Sequence, residues 1–169
     1  MPEQSLDIAK GCAALSEAIG DGRRIIQGLH PTILDDLGLA EAIEELVTQV
    51  SEMQEWEFTL KIQPLPHVPE KAVSVTLYRI LQEALNNICK HSRACNVRVS
   101  LTNGKQLNLT VEDDGQGFNV ENQNSIKQSF GITTMRERAE LIGGTCTISS
   151  IMGIGTRIEV IVPYELAYA

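Results

Sequence analysis

Val97-Arg98-Val99-Ser100-Leu101-Thr102-Asn103-Gly104-Lys105-Gln106-Leu107-Asn108-Leu109-Thr110-Val111 contains two runs of alternating apolar and polar residues. Val97, Val99 and Leu101 form the first apolar set, and Leu107, Leu109 and Val111 form the second. Successive side chains leave a strand on opposite faces, so each run reads as a strand with one buried face. Asn103-Gly104 between the runs marks a β-hairpin.

Downstream of this hairpin, Phe118 to Ser129 is polar and lacks an apolar period, which reads as a mobile loop. Thr133 to Ile142 reads as a short helix stopped by Gly143-Gly144. Thr145 to Ser150 and Arg157 to Val162 read as two more strands, joined by the glycine-bearing turn Met152-Gly153-Ile154-Gly155-Thr156. Upstream, Val73, Leu77, Ile80, Leu81, Ala84, Leu85 and Ile88 recur at helical spacing and predict a helix over Ala72–Lys90. Three prolines make Pro64–Pro69 a loop, and Phe58, Leu60 and Ile62 alternate as a strand before it. Leu39, Ala42, Ile43, Leu46, Val47 and Val50 make one apolar stripe on a helix from Leu39 to Ser51. Ser5 to Leu29 has helical spacing weakened by Gly11, Gly20, Gly22 and Gly28, and His30-Pro31 ends it.

Paired strands with helices beside them predict an α+β fold. The expected form is a two-layer α/β sandwich, with a mixed or antiparallel sheet carrying helices on one face. A doubly wound parallel sheet fits poorly, because hairpins leave no room for its crossover helices. The expected division is an N-terminal helical segment, 1–51, and a sandwich domain, 52–169.

Composition narrows the function classes. The chain has 169 residues, enough for one domain and a little more. Its formal net charge of −8 argues against a nucleic-acid or anionic-membrane surface. Trp56 is the single tryptophan and aromatic residues make up 4%, too few for a base-stacking platform. There is no run of 18 apolar residues and no basic start followed by an apolar stretch, so neither a membrane span nor a secretory signal is expected. Cys12, Cys89, Cys95 and Cys146 lack metal-ligand grouping and read as structural thiols of a reducing compartment, hence a cytoplasmic expectation.

Two features carry chemistry. Glu83 and Asn87 lie four apart on the helix and share a face, with Lys90 and His91 a turn further on. A carboxylate, an amide oxygen and a cation in one line suit a hydrated Mg²⁺ and the phosphates it bridges. An ordinary solvated helix face carries such sets too, but the adjacent Asn86 and Asn87 are poor helix formers and ask for another reason. The second feature is Asp113-Asp114-Gly115-Gln116-Gly117-Phe118. Alternation puts Asp113 on the same face as Leu107, Leu109 and Val111, so its carboxylate points inward. A buried carboxylate needs a donor, and the amino group of an adenine is a fitting one. Gly115 and Gly117 would let the backbone approach the flat base. A plain Asp-Gly turn accounts for Gly115 but not for an inward Asp113. Gly131-Ile132 and Gly155-Thr156 are weaker signals. A helix start after Gly131 would offer amides to phosphates, with Met135 packing on the base.

In order, Glu83-x-x-x-Asn87, Asp113-x-Gly115-x-Gly117, Gly131-x-x-x-Met135 and Gly153-x-Gly155-Thr156 resemble the nucleotide-binding boxes of sensor histidine kinases. That fold family, the Bergerat-type fold, also includes gyrase, the Hsp90 chaperones and mismatch-repair ATPases. The resemblance covers Glu57 to Pro163. Leu29-His30-Pro31-x-x-Leu34-Asp35-Asp36-Leu37-Gly38-Leu39, Lys90-His91-Ser92 and Met135-Arg136-Glu137-Arg138-Ala139 are similar to the nitrate/nitrite-sensor-like subfamily.

The resemblance implies ATP and Mg²⁺ as cofactors. It implies Glu83 as the acid–base residue and Asn87 as the Mg²⁺ ligand, with Glu83 reaching the ion through water. It places Asn86, Lys90 and His91 near the phosphates, Asp113 on the adenine amino group and Thr156 assisting through a hydroxyl or water. Gly115, Gly117, Phe118, Gly131, Ile132, Met135 and Gly155 would shape the pocket, and Asn119 to Ser129 would be a compact lid. The implied partners are the dimerisation and phosphoacceptor domain of a longer parent kinase and the receiver domain of a response regulator. The family's phosphoacceptor motif is absent from this sequence, and His30, next to Pro31, is not assigned as the acceptor. The segment 1–51 would be a remnant of the dimerisation hairpin, in a parent that could be membrane-anchored. Two other classes are a stand-alone serine kinase of the anti-sigma type, which the Leu34–Leu39 match disfavours, and a non-catalytic binding module, which the presence of Glu83, Asn87 and Asp113 disfavours.

Overall fold

The computed structural model describes residues 31–54, 56–120 and 126–169, the stretch 126–130 by its backbone alone. The chain divides into two units, Met1–Thr32 and Ile33–Ala169. The first, with the expected helix Ser5–Leu29, lies almost wholly outside the described residues.

The elements are α1 (Thr32–Leu37), α2 (Leu39–Met53), β1 (Glu57–Ile62), α3 (Lys71–Asn87), a π-helical turn (Ile88–Ser92), β2 (Asn96–Asn103), β3 (Gln106–Asp113), α4 (Ile126–Leu141), β4 (Thr145–Ile151), β5 (Gly155–Pro163) and α5 (Tyr164–Ala167). They build one five-stranded sheet in the order β1-β2-β3-β5-β4. β1 and β2 are parallel, joined across α3, and every other pair is antiparallel. The sheet is therefore mixed, as the alternating patterns require.

The hairpin that decides the reading is present, with Asn103 paired to Leu107. Its turn is looser than a two-residue Asn-Gly turn: Asn103 belongs to the strand, and neither it nor Gly104 has a positive φ. Val97, Val99 and Leu101, Leu107, Leu109 and Val111, and Ile158, Val160 and Val162 are all buried. They meet Val73, Leu77, Ile80, Leu81, Ala84 and Leu85 of α3 in one core. Each fully buried aliphatic side chain of this kind contributes about 1.5–3 kcal/mol.

The opposite face of the sheet is polar. Arg98, Glu112 and Arg157 are cross-strand neighbours on β2, β3 and β5. Arg98 Nη1 reaches Glu112 Oε2 at 3.1 Å, Arg157 Nη1 contacts Glu112 Oε1, and Arg157 Nη2 reaches Glu159 Oε1 at 3.0 Å.

Three expectations are corrected here. The helix α2 belongs to the sandwich rather than to a separate 1–51 segment: Leu39, Ala42, Ile43 and Val47 are buried in the same core as the sheet, and the compact unit starts at Ile33. The α4 helix starts at Ile126, well before Thr133, so the polar stretch to Ser129 is not all loop. The α3 helix stops at Asn87 and gives way to the π-helical turn, which closes on Arg93 with φ 54°. Among the described residues, no helix is long and apolar enough to cross a membrane.

Candidate functional site

A cavity of about 180 Å³ opens where the end of α3 meets the ends of β3 and β5. Its walls include Ala84, Asn87, Ile88, His91 and Ser92 from α3 and the π-helical turn, and Asp113, Gln116, Gly117 and Phe118 from β3 and the loop after it. Ile132 and Met135 of α4, Ile148 of β4, and Thr156 and Ile158 of β5 complete it. The volume is below the ~300–1,000 Å³ of pockets that swallow a whole drug-sized ligand. It is of a size for one flat ring system.

Asp113 stands at the polar end. It is half-buried, as strand alternation requires, and burial pushes its carboxyl above the usual aspartate range. The Gly115 amide, donating to Asp113 Oδ1 at 2.9 Å, works against that push, and the neighbouring Asp114 charge adds to it. Asp114 itself does something else. Its Oδ1 accepts the amides of Cys95 and Asn96, both at 2.8 Å, and its Oδ2 accepts Asn96 Nδ2 at 2.7 Å. These bonds, led by the Asn96 side chain, hold the Asp114 carboxyl below its usual range. Of the two adjacent aspartates, one fastens the strand end and the other faces the cavity.

The glycines serve the chain crossing more than ligand contact. A β carbon on Gly115 would lie 2.2 Å from the Ser92 carbonyl oxygen, and one on Gly117, whose φ is +59°, would lie 2.1 Å from that of Ile151. Both give room to protein backbone; Gly117 also lines the cavity, as expected of a glycine beside the base, whereas Gly115 lies outside the wall. Gly155 plays the same part toward the Asp113 carbonyl.

Glu83 and Asn87 share the face of α3 that meets α4. A β carbon on Gly131 would stand 2.7 Å from Glu83 Oε1 and 3.6 Å from Asn87 Nδ2. Gly131 is thus the point where α4 seats on Glu83. It does not begin a helix that could offer free amides, because α4 is already under way at Ile126. That expectation is corrected.

The structure brings Asn87, His91, Asp113, Gly117, Phe118, Ile132, Met135 and Thr156 to one cavity. Glu83, Asn86, Lys90, Gly115, Gly131 and Gly155 lie outside its wall. Lys90 is exposed on the π-helical turn, whose altered winding takes it off the line of Glu83 and Asn87. π-Helical turns recur at functional sites.

Ala84, Ile88, Ser92, Gln116, Ile148 and Ile158 also line the cavity without having been sequence candidates, and among the missed positions Gln116 and the nearby Ser150 carry polar contacts. The Gln116 amide donates to the Ser92 carbonyl at 2.7 Å and its Nε2 donates to the His91 carbonyl at 2.6 Å. The Gln116 carbonyl accepts the Gly153 amide at 2.7 Å, so this one residue ties the π-helical turn to the β4–β5 turn. Ser150 Oγ accepts the Phe118 amide at 2.9 Å and lies 2.9 Å from Thr156 Oγ1. Ser150 was legible as an inward position of β4, in phase with Ile148. Gln116 had no signal beyond its place between two glycines.

Among the described residues, no group of three or more His, Cys, Asp or Glu side chains could hold a metal ion. Asn87 with Glu83 can supply one or two oxygens, which fits a Mg²⁺ whose other ligands are phosphates and water.

Comparison with known proteins gives this geometry a context. Residues 72–166 match the family model described as "Histidine kinase-, DNA gyrase B-, and HSP90-like ATPase". The chain is 38% identical over 148 residues to the sensor histidine kinase LiaS of Bacillus subtilis, covering 87% of this chain and 40% of that protein. It is 39% identical over 142 residues to the sensor protein VraS of Staphylococcus epidermidis, covering 83% of this chain and 40% of that protein. The chain thus spans about 40% of the length of these curated relatives. The histidine kinase domain of the Erythrobacter litoralis EL346 blue-light activated histidine kinase matches with a TM-score of 0.58 at 19% identity, over 75% of this chain and 61% of that one. The ATP binding domain of PrrB from Mycobacterium tuberculosis matches with a TM-score of 0.56 at 20% identity, over 73% of this chain and 92% of that one. These two likenesses concern the fold.

Proposed function

The chain belongs to the histidine kinase-, DNA gyrase B- and HSP90-like ATPase family, an ATP-binding domain by that membership, and from this premise we propose that it is the catalytic domain of a two-component sensor histidine kinase. The observation that carries the reading is one cavity lined by the half-buried Asp113 together with Asn87 and His91. Asp113 accepts the adenine amino group, Thr156 stands beside it, and Ile132, Met135 and Phe118 pack on the base. Asn87 and His91 face the phosphates, with Asn86 and Lys90 outside the cavity wall.

Asn87, with Glu83 through water, would hold Mg²⁺, which when bound would neutralise charge on the phosphates. In the reaction the γ-phosphoryl bond to ADP breaks and a phosphorus–nitrogen bond forms to an imidazole. The imidazole proton leaves toward a base, the role assigned to Glu83. Holding donor and acceptor in line supplies much of the rate. The acceptor histidine belongs to the dimerisation domain of a longer parent kinase. The phosphoryl group then passes to a response-regulator receiver domain. The reading places the segment in the cytoplasm, without membrane or nucleic-acid contact of its own.

Calorimetry with ATP and Mg²⁺ tests the first half: saturable heat is expected, and none at millimolar ATP overturns the reading. Labelled ATP plus an added dimerisation hairpin tests the second half. An acid-labile phosphohistidine is expected, and an acid-stable phosphoserine would move the chain to another class of kinase.

A further inference from the structure

Strand register sets Asp113, Thr156 and Ser150 side by side across β3, β5 and β4. The row lies one step from the buried row Val111, Ile158 and Ile148, at the polar end of the cavity.

The hydrogens of this row can be counted. A serine hydroxyl has one hydrogen to give and two lone pairs to receive. The Phe118 amide occupies one lone pair of Ser150 Oγ at 2.9 Å. The Gly155 carbonyl, 3.1 Å away, can only accept, so it takes the Ser150 hydrogen. The remaining lone pair faces Thr156 Oγ1 at 2.9 Å. Thr156 must then be the donor of that bond. The reverse orientation leaves the Gly155 carbonyl facing a lone pair. With its hydrogen turned toward Ser150, Thr156 shows the cavity lone pairs only. Asp113 is also acceptor-only when ionised; its Oδ1 takes the Gly115 amide, and no donor among the described residues is bonded to Oδ2.

We propose that Ser150 is the specificity-positioning residue of this site: by holding the Thr156 hydroxyl as an acceptor, it makes the polar end of the cavity accept only, selecting a purine with a 6-amino group over one with a 6-oxo group. The inference rests on the reading that the base lies against Asp113. A 6-amino group brings two hydrogens to this end. A 6-oxo group brings lone pairs against lone pairs.

The test compares ATP with inosine triphosphate, which carries the 6-oxo group, by calorimetry on the full chain with Mg²⁺. The parent prefers ATP. Ser150→Ala frees the Thr156 hydroxyl to turn its hydrogen toward a 6-oxo group. The preference then narrows by about five- to tenfold, the worth of one neutral hydrogen bond. Any general loosening of the Phe118 loop weakens both nucleotides alike and cancels in the ratio. Ser150→Thr keeps the hydroxyl and restores the preference. Ser150→Cys fills the same space with a weak donor and acceptor, and repeats the measurement should the alanine variant not fold. Thr156→Val narrows the preference too, and adding Ser150→Ala to it changes nothing more. An unchanged preference in Ser150→Ala and Ser150→Cys overturns the proposal. Asp113→Asn separates the two levels: if it leaves the preference intact, the base lies elsewhere and both readings fall. If it abolishes the preference while the Ser150 variants keep it, only the role of Ser150 falls.

Discussion

Glu112 and Asp113 are adjacent on β3 and carry the same functional group, yet they live in opposite environments. Glu112 faces the open side of the sheet between Arg98 and Arg157. Burial works to raise its pKa, but hydrogen bonds from Arg157 and Arg98 win and hold it below the usual range. Asp113 faces the helices, has one internal donor, and is raised by burial. One step of strand alternation thus separates a carboxylate completed by its own protein from one left short of donors. A carboxylate of the second kind would be stabilised by a ligand that brings a donor, and the cavity lies on that side.

The strongest way to break this contrast is to disturb the seam that aims Asp113. A β carbon on Gly155 would lie 1.9 Å from the Asp113 carbonyl oxygen, at a φ of +132°. Gly155→Ala is expected to cost roughly 3 kcal/mol of unfolding free energy, from overpacking and backbone strain together. Denaturant unfolding reads it, and a loss under about 1 kcal/mol would mean that the seam gives way freely.

Next, the two carboxylates can be exchanged for amides. Asp113→Asn swaps one acceptor oxygen for a donor and is expected to weaken ATP binding about 30- to 100-fold. Glu112→Gln should change ATP affinity less than about threefold and stability by less than about 1 kcal/mol, as for surface ion pairs. Equal effects from the two would erase the distinction.

The smallest effect is in pH. Adenosine, without phosphates, reports on the base edge alone. Because Asp113 is raised, its ionised form is lost on acidification at a pH above the ordinary value of about 3.9, and adenosine affinity should begin to fall there. The empty fold gains from that protonation, since burial disfavours the charge. Glu112 behaves oppositely. Its contribution to stability is present above its unfolded pKa and is lost only as pH falls through its depressed folded value. Acid titration should therefore weaken adenosine binding before it removes the Glu112 contribution to unfolding stability, and the reverse order would contradict the comparison.

The sheet was legible because period-two patterns in β2, β3 and β5 admit one reading, and the inward aim of Asp113 came with them. The start of α4 was not. Ile126 to Phe130 shows no apolar period, and a helical turn without an apolar stripe looks like loop in sequence. The π-helical turn was hidden for a different reason: it is a change of winding, and Ile88-Cys89-Lys90-His91-Ser92 has no residue type that announces it. Glu83 and Asn87 could be placed on one face by counting, whereas Lys90 could not, because the count changes between them. Gln116 and Ser150 act through backbone partners far along the chain, which spacing within a motif does not reveal.

That change of winding between Ile88 and Ser92 sets the aim of the groups that follow it. Wound instead as ordinary α-helix at about 100° per residue, the same five residues would advance further round the axis and swing everything after them out of place. The His91 carbonyl would leave the Gln116 amide group, and the imidazole would leave the cavity mouth, although every side chain named at the site would still be encoded. At this corner of the molecule the winding of the chain, and not side-chain identity alone, decides where the imidazole stands.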